Sequence, residues 1–314
     1  MKNRNQTIDI VKGIGIILVV LGHTALPQKI ILFIYSFHMP LFFFISGYLF
    51  SKTKYSKNLF YTIWIKASSL LWPFITFSAL AILLKYLSTQ YDYTMFTKDI
   101  YNTLLGIHNL DGPLWFLTAL FSVEIIFSQV MRSKYANILT FILIVLGFIN
   151  AYYFKYRLFL NIDIALVALI FFSIGYYMKG TIFDIYKIKI SKIYIIFFIV
   201  ILVFMIYKIS QINMVNMLDG EYGNIFYFII TALCGTCLIA LIAKLITNDL
   251  LIKIYTYLGR NSLIILATHL PYASLINSTI GSLPFRLHNL LMLGLVGITI
   301  FIINKYLKLM VHLR

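Results

Sequence analysis

The first apolar stretch of the chain carries three residues whose side chains are unusual inside a membrane. The segment IDIVKGIGIILVVLGH contains Asp9, Lys12 and His23. Lys12 and His23 are eleven residues apart, which on an α-helix is three turns plus about 20°, so both side chains share one face. Along the helix axis they are separated by about 16 Å. This face therefore offers a cation at one level and, at the other, an imidazole that can accept a proton near neutral pH.

Two further histidines lie in apolar stretches and are candidate proton acceptors beside His23. His38 occurs in FHMPLFFFISGYLF, where Pro40 interrupts the helical hydrogen bonds next to a polar side chain. His269 occurs in LGRNSLIILATHL, seven residues after Ser262 and on the same helix face. Either histidine could instead serve packing, bonded to a neighbouring carbonyl. The candidates for a catalytic base are therefore His23, His38 and His269.

Basic residues cluster toward one end of the apolar segments. Lys12, Lys66 and Arg260, with Asn261 next to the last, form a cationic set that suits a phosphorylated ligand. A lysine or arginine at such a position can also be a simple membrane anchor. We therefore take Lys12, Arg260 and Asn261 as candidate residues for binding a phosphorylated cytosolic ligand.

Acidic and aromatic residues cluster toward the opposite end. Asp111 and Trp115 are one turn apart in DGPLWFLTALFSVE, and Asp163 lies near the start of NIDIALVALIFFSIGYYMKG. Aromatic rings stack on sugar faces and carboxylates accept hydrogen bonds from sugar hydroxyls. These three are candidate substrate-binding residues, although a tryptophan at this level is also a common interfacial anchor.

The composition shows which class of protein these residues belong to. Of 314 residues, 61% are hydrophobic and 11% are charged, with a mean hydropathy of +0.91. These values exclude a soluble globular domain, a disordered chain and a disulfide-rich secreted domain. The net charge of +16 is interpreted as a topology signal rather than as nucleic-acid binding. Cys234 and Cys237 lie in an apolar run and are interpreted as packing residues.

The elements that position these side chains are predicted to be about ten transmembrane helices in a single domain over 1–314. An apolar segment of about 20 residues crosses a membrane. Asp9 and Lys12 interrupt the first segment, so it is predicted to be a retained helix rather than a signal peptide. The predicted segments are 10–27, 30–50, 59–86, 113–131, 136–154, 158–178, 192–208, 224–246, 254–277 and 286–309.

The positions of the basic residues predict how the helices are oriented. With the N-terminus inside, most Lys and Arg residues fall in cytoplasmic loops, as the positive-inside rule requires. Both termini are then cytoplasmic, and the long polar segment 87–112 is outside. We expect the protein in the plasma or inner membrane.

The chain resembles the acyltransferase-3 family of integral membrane acyltransferases, most closely its fucose 4-O-acetylase-like branch. The resemblance is carried by the segments 8–23, 37–50, 112–121, 161–180 and 258–270, which occur in order along the chain. The family's first-helix signature is a basic residue, usually arginine, followed by ten residues and a histidine; Lys12 and His23 fill it. Many members have a glutamate five residues after the tryptophan, where this chain has Leu120, so no role is carried over to Glu124.

The resemblance implies ten core helices, an acyl-CoA donor from the cytoplasm and an acceptor hydroxyl on an extracytoplasmic glycan. The expected function is therefore a membrane O-acyltransferase that uses acetyl-CoA and no metal and acts on a cell-surface polysaccharide or lipid-linked sugar. Acetyl is the default group, since some relatives transfer succinyl. The alternative is a glycan or small-solute transporter or flippase, which intramembrane charges would also suit. The absence of a convincing internal repeat disfavours it.

Overall fold

The computed structural model describes residues 6–55, 58–88, 92–107, 112–180, 191–280 and 284–306, and these residues are mostly helical. The only β-structure in these ranges is an isolated bridge between Asn216 and Glu221. The prediction of an all-α protein is confirmed. The helices are α1 (Gln6–Gly22), α2 (Gln28–Tyr35), α3 (His38–Leu49), α4 (Lys52–Tyr55), α5 (Leu59–Lys66), α6 (Trp72–Ser88), α7 (Tyr93–Leu105), α8 (Trp115–Val130), α9 (Ala136–Ile149), α10 (Ile162–Tyr177), α11 (Lys192–Ile212), α12 (Ile225–Leu245), α13 (Asp249–Arg260), α14 (Ser262–Ile280) and α15 (Phe285–Tyr306).

The described residues include eight helical segments that are long and apolar enough to cross a membrane. They correspond to eight of the ten predicted segments, and the protein is a multi-pass membrane protein. The other two predicted segments, 10–27 and 113–131, fold as the shorter helices α1 and α8. The eight are Gln28–Leu49, Leu59–Tyr86, Ala136–Phe154, Phe159–Tyr177, Lys192–Ile212, Ile225–Leu245, Ser262–Ile280 and Arg286–Tyr306.

The first helix ends earlier than the sequence predicts, five residues before a proline. Helix α1 stops at Gly22 rather than at residue 27. Pro27 disfavours helical backbone in the residue before it, and the hydroxyl of Thr24 donates to the Leu21 carbonyl 2.7 Å away. His23 therefore lies in the turn directly after α1 rather than on the helix itself.

The second predicted segment is broken between α2 and α3. Pro40 has no N–H, so the carbonyl of Ser36, four residues earlier, lacks its helical donor. The hydroxyl of Thr231 on α12 lies 3.4 Å from that carbonyl oxygen. The backbone leaves the helical region at Phe37, where φ is −147°. His38 is consequently the first residue of α3 instead of a residue within a continuous helix.

Two other predicted segments are also irregular. The segment 254–277 is divided at Asn261 into α13 and α14. The segment 59–86 contains a π-helical turn at Ala67–Leu71 between α5 and α6. The helices group into two compact units, unit 1 with 1–50 and 168–262, and unit 2 with 51–167 and 263–314. The single domain over 1–314 stays a prediction.

In unit 1, α1 and α13 cross with their backbones in contact. A Cβ atom at Gly13 would lie 2.1 Å from the carbonyl oxygen of Tyr255, and one at Gly259 would lie 1.8 Å from that of Asp9. Both distances are far below a van der Waals contact, so only glycine fits at either position. This close approach brings the end of α13 against the first turns of α1.

We expect Gly259→Ala to destabilise the protein by about 1–3 kcal/mol, the usual cost of overpacking a well-packed contact. The added methyl group meets backbone atoms of α1, which cannot rotate away as a side chain would. Thermal unfolding of the purified protein in detergent measures the effect. Gly294→Ala on α15 is the matched control, because a Cβ there meets nothing within 4 Å. An equal loss of Tm in both variants would contradict the prediction.

Candidate active site

Two of the candidate histidines, His23 and His38, lie in unit 1. In both, the ring nitrogen Nδ1 is hydrogen-bonded to a backbone carbonyl. Nδ1 of His23 is 2.8 Å from the carbonyl oxygen of Val19, and Nδ1 of His38 is 2.9 Å from that of Ile34. A carbonyl oxygen only accepts hydrogen bonds, so each Nδ1 carries the proton and donates it. In the neutral ring, Nε2 then has the lone pair. Both imidazoles are therefore in the tautomer that a general base requires at Nε2.

A tyrosine ring brings the two histidines together. The ring centroid of Tyr35 lies 6.2 Å from that of His23 and 5.1 Å from that of His38. His23 follows the end of α1, Tyr35 ends α2 and His38 begins α3. Tyr35 is not among the residues that the sequence predicts for the site. Its position only three residues before His38 in the chain is the signal that could have identified it.

The third histidine lies in unit 2. His269 is buried on α14, and its Nδ1 donates to the carbonyl oxygen of Ile265 at 2.9 Å. Its tautomer is therefore the same as that of the other two. His269 stays a separate candidate for the catalytic base.

The candidate donor-binding cations of unit 1 lie where α1 and α13 cross. Nε of Arg260 donates to Oδ2 of Asp9 at 3.2 Å. The Asp9 side chain is only 3% exposed, whereas that of Arg260 is 55% exposed. Lys12 is half-buried one turn further along α1, next to Gly13. The buried carboxylate thus anchors the guanidinium while much of it remains accessible to a ligand.

Asn261, the third candidate donor-binding residue, has a clear local role. It is buried, and its side-chain amide donates to the carbonyl oxygen of Tyr257 at 2.8 Å. This bond satisfies one of the last carbonyls of α13 where the helix ends. The geometry thus assigns Asn261 to the α13–α14 break that positions Arg260.

Lys66, the remaining member of the cationic set that the sequence suggests, has a buried acidic partner. It lies in unit 2, where its Nζ donates to Oε1 of Glu124 on α8 at 2.8 Å. The pair is largely buried, with side-chain exposures of 12% for Lys66 and 7% for Glu124. The ammonium also lies 4.3 Å from the ring centroid of Tyr55. Lys66 is therefore a partner for Glu124, whose role the sequence left open.

Two of the three candidate substrate-binding residues lie in unit 2, and both are buried. Asp163 accepts from the Leu158 N–H at 3.1 Å and from Arg157 at 3.3 Å, so both carboxylate oxygens have partners. The Trp115 side chain is buried at the start of α8 and is not an interfacial anchor. Asp111 lies outside the described residues.

A buried amide network at the start of α8 was not anticipated from the sequence. Nδ2 of Asn161 donates to the Gly106 carbonyl at 2.9 Å and to the hydroxyl of Thr118 at 2.7 Å. Asn161 and Leu160 both have φ of 51°, a conformation unusual for residues other than glycine. The network fixes the backbone around Trp115, whose carbonyl accepts from Thr118 at 2.9 Å.

Comparison with known proteins matches the chain to one family. The model of an acyltransferase domain matches residues 5–304. The nodulation protein NolL of Sinorhizobium fredii is 38% identical over 130 residues, which cover 37% of this chain and 34% of that protein. NolL of Mesorhizobium japonicum is 35% identical over 133 residues, which cover 38% of this chain and 34% of that protein. The chain thus spans about a third of the length of these curated relatives. No solved structure matches it.

Proposed function

Because this chain belongs to the acyltransferase-3 family of membrane acyltransferases, we propose that it is an O-acyltransferase acting across a membrane. The donor is cytosolic acyl-CoA, with acetyl as the expected group. The acceptor is a hydroxyl of an extracytoplasmic polysaccharide or of a lipid-linked sugar. The membrane is the plasma or inner membrane.

The observation that carries this proposal is the pair of imidazoles around Tyr35. Nδ1 of both His23 and His38 is held by a backbone carbonyl, and their Nε2 atoms are the proton-accepting nitrogens. Proton abstraction from a hydroxyl requires a neutral imidazole within hydrogen-bond reach. We assign this role first to His23, because it also fills the basic–histidine signature with Lys12.

The reaction needs only one such base. Nε2 of His23 takes the proton of the acceptor hydroxyl as the hydroxyl oxygen attacks the thioester carbonyl. The carbon–sulfur bond then breaks, and the imidazolium returns the proton to the departing thiolate of CoA. The products are the O-acyl ester and free CoA, and the histidine ends as it began.

The donor is proposed to bind through its phosphates at Arg260 and Lys12. The Asp9 carboxylate holds the Arg260 guanidinium by its Nε, and the guanidinium forks are well suited to phosphate oxygens. Asn261 supports this arrangement by ending α13. Within unit 2, Trp115 and Asp163 are proposed as acceptor-binding residues; both are buried, and the carboxylate oxygens of Asp163 have partners.

The proposal is tested by acyl transfer in proteoliposomes that contain the purified protein. Isotopically labelled acetyl-CoA is supplied on one side, and glycans isolated from the protein's own cells are supplied on the other. The expected result is a gain of one labelled acetyl group in the mass spectrum of the glycan. Movement of the glycan or of a solute without any mass gain would instead support a transporter.

We expect Arg260→Ala and Lys12→Ala each to weaken acetyl-CoA binding by about tenfold, because each removes a charge-assisted contact to phosphate. Lys12→Arg should keep binding, since it preserves the charge. Isothermal titration calorimetry in detergent measures the affinity, which should fall as salt is added. Arg132→Ala, which removes an exposed arginine at the end of α8, is the control. If Arg260→Ala binds as tightly as the parent protein, Arg260 is only an anchor.

A further inference from the structure

Helix α7 of unit 2 turns a charged residue toward the protein and apolar residues outward. Asp99 is buried, and its Oδ2 accepts from Nζ of Lys85 on α6 at 3.2 Å. Tyr93, Ile100 and Leu104 share one stripe of the helix, about 120° around the axis from Asp99. This α7 stripe is exposed, Tyr93 by 77% and Leu104 by 74%. A helix that packs on a protein in water has the opposite arrangement, with its apolar stripe against the core.

The contact between α7 and α6 indicates which apolar medium covers the α7 stripe. Helix α6 belongs to the segment Leu59–Tyr86, which is long and apolar enough to cross a membrane. Its exposed residues recur every three or four positions and so form one lipid-facing side: Trp72, Ile75, Ala79, Leu83 and Tyr86. The ring of Tyr86 contacts that of Phe96 on α7, with centroids 6.3 Å apart. Phe96 is four residues before Ile100, so the α7 stripe continues the lipid-facing side of α6.

The length and the contacts of α7 place it at the membrane surface rather than across the membrane. Its 13 residues span about 20 Å, less than the hydrocarbon core of about 30 Å. Its contacts with α6 join the middle of α7 to the last turn of α6, through Lys85 with Asp99 and Tyr86 with Phe96. Lysine and tyrosine side chains at the end of a membrane span lie at the interface with water. Helix α7 is therefore at that level.

The other polar side chains of α7 fit this position. Thr97 lies within the α7 stripe, but its hydroxyl is 3.1 Å from the Tyr93 carbonyl oxygen and 3.0 Å from that of Thr94. It is thus hydrogen-bonded without water. Lys98 is exposed and lies about 160° around the axis from Ile100. The helix therefore has one side toward the protein, one apolar side and one side suited to water and lipid headgroups.

From this arrangement we infer that α7 is an interfacial helix, and that Tyr93, Ile100 and Leu104 insert into the headgroup region of the leaflet where α6 ends. The predicted orientation makes this the outer leaflet. The partner of the α7 stripe is phospholipid. The end of α7 is joined to α8, because the Gly106 carbonyl accepts from the hydroxyl of Thr118 at 3.0 Å. The bound helix thereby holds the start of α8 near the membrane surface. This placement of α7 is independent of the proposed acyl transfer.

Spin labels on single cysteines test the placement in the full-length protein, reconstituted in vesicles of phosphatidylcholine and phosphatidylglycerol. Cys234→Ala and Cys237→Ala provide the cysteine-free parent. Labels at Ile100→Cys and Leu104→Cys should collide often with oxygen, which concentrates in lipid, and rarely with a water-soluble nickel complex. Their depth should be about 5–10 Å into the boundary between headgroups and acyl chains. Lys98→Cys, on the same helix and two residues from Ile100, is the matched control and should show the reverse preference.

Each alternative result would overturn the inference. Nickel collisions as frequent at Ile100 and Leu104 as at Lys98 would place the α7 stripe in water. Few collisions with either reagent at Ile100 and Leu104 would show that another protein surface covers the stripe. A lipid environment at Lys98 as well would show that α7 is immersed on all sides. Each labelled variant must keep the Tm of the cysteine-free parent, and Leu104→Cys supplies the same reading where Ile100→Cys does not fold.

Discussion

Replacing His23 by alanine is expected to lower kcat for acyl transfer by about 100-fold or more, while acetyl-CoA still binds. The variant loses the Nε2 atom that accepts the hydroxyl proton, so the hydroxyl must attack without a general base. The donor contacts at Arg260 and Lys12 are unaffected. Initial rates in proteoliposomes, normalised to protein amount, measure the loss, and calorimetry with acetyl-CoA measures the binding.

His288→Ala is the matched control for this experiment. His288 is a half-buried histidine on α15 whose Nε2 lies 3.3 Å from the Ala273 carbonyl oxygen, and it is not among the candidate bases. Near-normal turnover of His23→Ala would rule out His23 as the base. The assignment would then pass to His38 or His269, whose alanine variants are measured in the same assay.

A large loss of stability is expected when the ion pair between α5 and α8 is broken. Lys66→Met leaves the Glu124 carboxylate buried without its cation, which costs about 3–5 kcal/mol. The second carboxylate oxygen, Oε2, already lacks a hydrogen-bond partner among the described residues, so it offers no compensation. Thermal unfolding in detergent should show a markedly lower Tm. The double variant Lys66→Met with Glu124→Met should recover most of the loss, because it buries no lone charge.

A basic residue whose removal leaves no buried charge provides the control. Arg132 of unit 2 is exposed, and its Nη1 donates to the side-chain oxygen of Gln129 at 3.1 Å, so Arg132→Met leaves no buried carboxylate without its cation. Surface substitutions of this kind change stability by about 0.5 kcal/mol or less. Arg132→Met should therefore leave the Tm nearly unchanged. Equal losses from Lys66→Met and Arg132→Met would show that the loss does not come from the buried Glu124 carboxylate.

The helical membrane architecture could be predicted from sequence because long apolar runs allow few alternatives. A chain in lipid must satisfy its backbone hydrogen bonds within each segment, so a run such as 192–208 folds as a helix. The boundaries near Pro27 and Pro40 were missed because the end of a helix depends on a few local hydrogen bonds. Hydropathy does not report such bonds, as the Thr231 hydroxyl near the Ser36 carbonyl illustrates.

The candidate site could be predicted only where chemistry is visible in a single residue. Histidines and charged residues are conspicuous in apolar runs. Asp9 and Arg260 are two such charged residues, and they pair with each other. Tyr35 was missed because tyrosine is common in this chain and its role depends on a contact between helices. The partner of Lys66 was missed for the same reason, since Glu124 is 58 positions away in the chain.

The π-helical turn at Ala67–Leu71 changes which side chains of the segment 59–86 lie on the same face. A π turn holds one residue more than an α turn, and each residue of an α-helix advances the face by about 100°. Side chains before the turn are therefore out of phase, by about that angle, with those after it. Lys66 lies at the end of the face that α5 presents to α8. Because of the extra residue, that face does not continue in phase along α6. Removing one residue from the turn would bring the two faces into phase and direct the ammonium of Lys66 away from Glu124.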